Sequence, residues 1–355
     1  MKIGLDVRMF DYSGIGVTIK KLLENLSPEQ RDQLVLFSAK DWVNPHAEGK
    51  VVPAPYSVYG LKQHVNYPFV LRKHKLNLFH MPHYDVPYTY GRPFVATVHD
   101  IIHYLFPQFS TKPLSRTYSK AMLAHTAKRA KKIITVSENT KKDLETHFPK
   151  AAGKVQVIYP AVDPQFRPMS NENVRAVLSK YSLLPNYFLY VGNLRESKNT
   201  PALINAYAAL KKQHPDAPPL VLVGKTFLKD LGAVPNDVFH IENATTEELP
   251  AFYSGAALFV FPSLYEGFGL PPLEAMACGA PVLSSRAASL TEVCGNAAHY
   301  IDPLSQSELV DGMWSLITSP SKRDDMKKKG LDNVKRFSWK RFAASTWQVY
   351  NESIA

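Results

Sequence analysis

Short apolar runs alternate along this chain with longer stretches of helical period. In the first half the runs 2–7, 33–37, 76–79, 94–99, 132–136 and 155–158 read as strands. The segments 15–26, 113–130 and 138–147 read as helices between them. The second half repeats the style, with strands at 187–191, 220–223, 258–261 and 281–283 and helices at 201–212, 247–253, 271–277 and 308–317. Continuously apolar strands alternating with helices predict an α/β protein with a parallel sheet covered on both faces, once in each half. Pro160, Pro164 and Pro168 interrupt the pattern and place the boundary within 159–168. We expect domains at 1–165 and 166–337, with 338–355 as a C-terminal helix able to cap either one.

Composition narrows the picture. Lysine and arginine number 42 against 31 acids, a net charge of +11, and the first 165 residues hold nearly all of the excess (23 basic, 13 acidic). Two unlike halves are expected to meet different partners. Cys278 and Cys294 alone support neither a disulfide framework nor a cysteine zinc site, and they fit a reducing compartment. Asp6 interrupts the N-terminal apolar run, so no signal peptide is expected, and no run of about 18 apolar residues spans a membrane. A cytoplasmic protein, at most peripheral on a membrane, is expected.

The richest stretch is 262–279, which follows the strand 258–261 and so lies at a carboxyl edge, where open α/β sheets bind ligands. Gly267 and Gly269 let the backbone pass close to a ligand. Pro271 and Pro272 suit the first turn of a helix, whose N-terminus favours an anion. Glu266 and Glu274, one in the loop and one in the helix, have reach toward the same molecule. The loop 191–199 sits similarly, and Arg195 and Lys198 give it two cations suited to phosphate.

In the first half, Gly14 and Gly16 precede a helix, but a dinucleotide fingerprint would need glycine where Ile19 stands. His99 ends the strand 94–99; it donates to a ligand, shuttles a proton, or merely caps the strand end. His80, His83, His99 and His103 have no familiar zinc spacing, and no Asp-x-Asp pair occurs, so neither metal nor cofactor is expected. Residues 111–132 carry seven basic side chains and no acid, and 62–75 add four more. Leu114, Tyr118, Met122 and Leu123 would give the first segment an apolar stripe. These segments fit either an anionic membrane surface or a solvated face. No nucleic-acid motif accompanies the charge.

On these residues the chain resembles the family-4 retaining glycosyltransferases of GT-B architecture, which have two facing Rossmann-like domains. The similarity runs nearly end to end, through 2–8 with 13–16, 97–100, 135–141, 157–163, 192–199 and the Glu-x7-Glu motif of Glu266 and Glu274. The chain departs from the family pattern at Ala161, where glycine is usual, and at Ser197, where arginine often precedes the lysine. The resemblance implies an acceptor-binding first domain, a donor-binding second domain and a C-terminal helix crossing back to the first. It implies a nucleotide diphosphate sugar as donor, with GDP-mannose favoured by likeness to bacterial mannosyltransferases. The acceptor would be a glycan or lipid-linked glycan of lipopolysaccharide type, and transfer would need no metal. Lys198 and Arg195 would neutralise the diphosphate, alongside Gly192, Asn193, Gly267, Phe268, Gly269 and Leu270. Glu274 would take the ribose, Glu266 the sugar hydroxyls, His99 the sugar, and Gly14 and Gly16 the diphosphate. A nucleotide-sugar epimerase, a nicotinamide oxidoreductase and a non-catalytic binding module are the competing classes.

Overall fold

The computed structural model describes residues 1–39, 50–110, 114–226 and 235–355. Two units divide the chain: Met1–Pro160 with Phe337–Ala355, and Ala161–Arg336. The first unit ends at Pro160, a few residues ahead of the boundary expected at 165, and the chain returns to it at Phe337.

In the first unit the described strands are β1 (Ile3–Asp6), β2 (Leu34–Ser38), β3 (Lys50–Pro53), β4 (Leu78–Met81), β5 (Phe94–Val98), β6 (Lys132–Thr135) and β7 (Val155–Val157). They pair in parallel in the order β3-β2-β1-β4-β5-β6-β7. The second unit has β8 (Tyr187–Val191), β9 (Leu220–Val223), β10 (Val238–Ile241), β11 (Ala256–Phe261), β12 (Val282–Ser285) and β13 (Ala298–Ile301), parallel in the order β10-β9-β8-β11-β12-β13. Strand order reverses between β1 and β4 in one unit and between β8 and β11 in the other, and such a switch point opens a crevice at the carboxyl ends of the strands.

Central strands are buried at nearly every position because helices cover both faces, so they read as apolar runs with Asp6 in β1 and His80 in β4 as buried polar exceptions. The three strands that the apolar pattern missed, β3, β10 and β13, all lie at sheet edges. With one neighbour and half-open faces, β10 and β13 tolerate His240 and His299. The helix Trp339–Ile354 packs on the helix Ser13–Asn25 and on β4, β5 and β6. Its Tyr350 hydroxyl lies 2.6 Å from His80 Nδ1, and Thr97 Oγ1 lies 2.9 Å from the other ring nitrogen. His80 is therefore a satisfied core residue, and burial pushes its pKa down to about 3.

The basic segment forms the helix Ser115–Arg129; residues 111–113 lie outside the described residues. The expected apolar stripe faces inward. Met122 and Leu123 are buried in the core and Tyr118 packs against it, while Leu114 alone faces solvent, 78% exposed. A stripe consumed by the core is not available to a membrane. Among the described residues no helix is long and apolar enough to cross one.

Candidate active site

In the second unit, adjacent strands β8 and β11 deliver the two cation- and carboxylate-bearing loops to one switch point. The loops are stitched together: Leu264 N–H donates to Ser197 O at 2.9 Å, and the Ser285 hydroxyl holds Ser263 O. The result is a contact between two of the expected residues. Lys198 Nζ donates to Glu266 Oε1 at 2.6 Å, and the Ser263 hydroxyl donates to the same oxygen at 2.7 Å. Both charged side chains are largely, but not wholly, covered. Arg195 lies on the exposed side of the turn, with its carbonyl accepting from Lys198 N–H at 3.0 Å.

The corner from 266 to 270 is held from outside. Ser289 Oγ lies 2.9 Å from Glu266 O and 2.7 Å from Phe268 O. Gly269 takes φ +109°, a left-handed conformation, and an added Cβ would press on Leu290, so glycine is required there. The helix Leu270–Ala277 follows. Two of its first four residues, Pro271 and Pro272, have no N–H, so the anion donors at this corner reduce to Leu270 and Leu273 with the loop amides before them.

Glu274, in the same helix, accepts from the Tyr253 hydroxyl at 2.9 Å. Desolvation pushes its pKa up to about 7, against the lowering effect of that hydrogen bond and with a small further rise from nearby Asp163. Tyr253, Ser263 and Ser289 thus support the two glutamates. Tyr253 and Ser289 carried no sequence signal, because hydrogen bonds reaching 21 and 23 residues along the chain leave no local pattern.

In the first unit, Gly16 falls in the first turn of the helix Ser13–Asn25, and an added Cβ would collide with the Phe10 carbonyl. Gly14 is open, with nothing near an added Cβ. His99 follows β5, next to the switch point. Its Nε2 lies 3.1 Å from Pro82 O, and a carbonyl only accepts, so Nε2 carries the proton and Nδ1 a lone pair. Burial pushes the ring's pKa down to about 4. The expected donor or proton shuttle is therefore a neutral ring with an acceptor nitrogen to offer. Among the described residues no group of three or more His, Cys, Asp or Glu is arranged to hold a metal ion.

Beneath this edge runs a buried polar chain that the sequence reading did not reach. Arg8 donates Nε to both Asp6 oxygens (3.1 and 2.9 Å), Nη1 to Tyr56 O (2.7 Å) and Nη2 to Gln63 Oε1 (3.0 Å). Gln63 continues to Asp85, which also accepts from Tyr118.

Residues 12–166 match the Glycosyltransferase Family 4 description and residues 179–332 match Glycosyl transferases group 1. The structure of Anabaena Alr3699/HepE in complex with UDP-glucose superposes with a TM-score of 0.77 at 19% identity, covering 99% of both chains. The protein is a glycosyltransferase of the GT-B class. It is 32% identical over 291 residues to O-antigen chain mannosyltransferase B of Escherichia coli, covering 79% of this chain and 76% of that protein. It is also 31% identical over 258 residues to the serotype-specific mannosyltransferase WbdA of Escherichia coli, covering 69% of this chain and 32% of that longer one. The chain belongs to the family-4 glycosyltransferases.

Proposed function

We propose that the protein transfers mannose from GDP-mannose, with retention of anomeric configuration, to a lipid-linked or lipopolysaccharide-type glycan at the cytoplasmic face of a membrane. The relative named O-antigen chain mannosyltransferase B favours mannose as the transferred sugar and a glycan of that class as the acceptor. The observation that carries the reading is the Lys198–Glu266 pair at the switch point, beside a corner of backbone amides. In this reading the diphosphate takes Lys198, with Arg195 and the amides of Gly267, Gly269 and Leu270, and Gly192 and Asn193 line its approach. Glu266, released from the lysine, turns to the sugar hydroxyls. Fixed cations and dipoles then stabilise the charge that develops on the leaving diphosphate, so the reading needs no divalent cation. The acceptor hydroxyl attacks from the leaving-group face and gives its proton to the departing phosphate.

A thermal-shift panel of nucleoside diphosphates and sugar nucleotides tests the donor. A ligand at a hundred times its Kd stabilises the native state by roughly 2.7 kcal/mol, and GDP and GDP-mannose should raise Tm above the uridine series. A flat panel would overturn the reading, and turnover of the sugar nucleotide without acceptor would favour an epimerase.

Glu274 makes a second expectation. A ribose diol donates best to the ionised carboxylate, so nucleotide binding should release a proton from a group whose free pKa is about 7. Affinity should fall as pH drops below that value, by up to about tenfold per unit, and Glu274→Gln should flatten the profile. The same raised pKa has the opposite sign for the ligand-free fold. Its contribution is intact below the ordinary value of 4.5 and is lost as pH rises through the window up to about 7. Calorimetry in buffers of different ionisation enthalpy reads the proton release; none detected near neutral pH removes Glu274 from the ribose.

A further inference from the structure

Between residues 57 and 137 the chain carries twelve lysines and arginines and two acids, Asp85 and Asp100. Asp85 is buried and accepts from Tyr118 and from Tyr59 N–H. This stretch therefore turns an almost acid-free surface to solvent. On it stand apolar side chains that no core explains. The helices Leu61–Val65 and Tyr67–Lys73 meet through Asn66 in right-handed helical backbone. Leu61, Val65 and Phe69, each four residues on from the last, so form one ridge, 80, 50 and 60% exposed. The Arg72 guanidinium lies 5.7 Å from the Phe69 ring.

Tyr88 carries the surface onward. Its N–H donates to His64 Nδ1 at 3.2 Å, and its ring, 59% exposed, lies 4.5 Å from the His125 ring. His125 and Tyr88 line a groove of about 740 Å³ along the helix Ser115–Arg129. Ala121, Ala124 and Phe148 give it an apolar floor, and Lys120, Lys128, Arg129 and Lys150 are its exposed cations. His125 Nε2 is buried there with no hydrogen-bond partner among the described residues.

We propose that the ridge and the groove form one docking surface for an anionic lipid bilayer. The ridge and Tyr88 enter the headgroup boundary, lipid phosphates lie on the groove lysines, and an acyl segment rests on the alanine floor. An almost acid-free field with aliphatic and aromatic tips matches a layer of anionic headgroups. The surface uses the basic segments noted in the sequence but not the stripe expected to bind, which is core. It stands apart from the donor reading, and its test does not involve donor or acceptor.

The experiment is co-sedimentation of the full chain with vesicles of phosphatidylcholine alone and of phosphatidylcholine mixed with phosphatidylglycerol. Binding should require phosphatidylglycerol and weaken with salt. Leu61→Ser with Phe69→Ser, and separately Lys120→Glu with Lys128→Glu, should each weaken it by about tenfold or more. Both variants should keep the parent's circular dichroism and its nucleotide-induced thermal shift. Equal binding to neutral vesicles, or variants that bind like the parent, overturns the proposal. So does a parent that self-associates in solution through these residues, since a second copy would then own the surface.

Discussion

Lys198→Ala should lower kcat/KM by about 10²–10³ while leaving Tm nearly unchanged. The size follows from removing one preorganised charge from a site whose main task is to stabilise a leaving anion. The small stability effect follows from geometry. The ammonium is partly open to solvent and its bond to Glu266 is that of a pair near the surface, where such pairs contribute little. Without the lysine, Glu266 keeps the Ser263 hydroxyl, so the corner has no reason to collapse. Steady-state kinetics with a soluble acceptor, alongside a melting curve, checks both halves. Turnover close to the parent's would take Lys198 out of the mechanism. A large drop in Tm would make it a structural residue instead.

Asp6→Ala should have the largest effect on stability, a loss of about 3–5 kcal/mol, because it strands a buried guanidinium. Burial alone would lower the Arg8 pKa; Asp6 and Tyr67 more than reverse that and keep it charged. Its carboxylate partner is covered to the same degree, and the Tyr67 ring lies 4.3 Å beneath it. Replacing both partners, Asp6→Ala with Arg8→Met, should recover much of the loss, since an apolar pair leaves no buried charge unpaired. Urea unfolding measures the two. A loss under about 1 kcal/mol for the single variant would mean that Tyr56 and Gln63 suffice to hold Arg8.

Much of this was legible along the chain. Central strands such as β8 and β9 stood out with their true ends because a strand covered on both faces is apolar at nearly every position. Edge strands β3, β10 and β13 did not, since an open face accepts polar residues. The loops carrying Lys198 and Glu266 were visible as cations and glycines placed after strands. The basic helix misled: its charge was plain, but which side its apolar residues faced depended on neighbours far along the chain.

The sequence alone determined the α/β alternation, the family, and which two loops bear the charged groups, because each of these is written in local composition and spacing. Tertiary structure decided that Lys198 rests on Glu266, that a dry setting lifts the Glu274 pKa toward neutrality against the hydrogen bond from Tyr253, and that His99 presents a lone pair. It also decided that Leu61, Val65 and Phe69 face solvent while Met122 and Leu123 do not. Protonation and exposure are set by surroundings assembled from distant segments, and no window of neighbouring residues contains them.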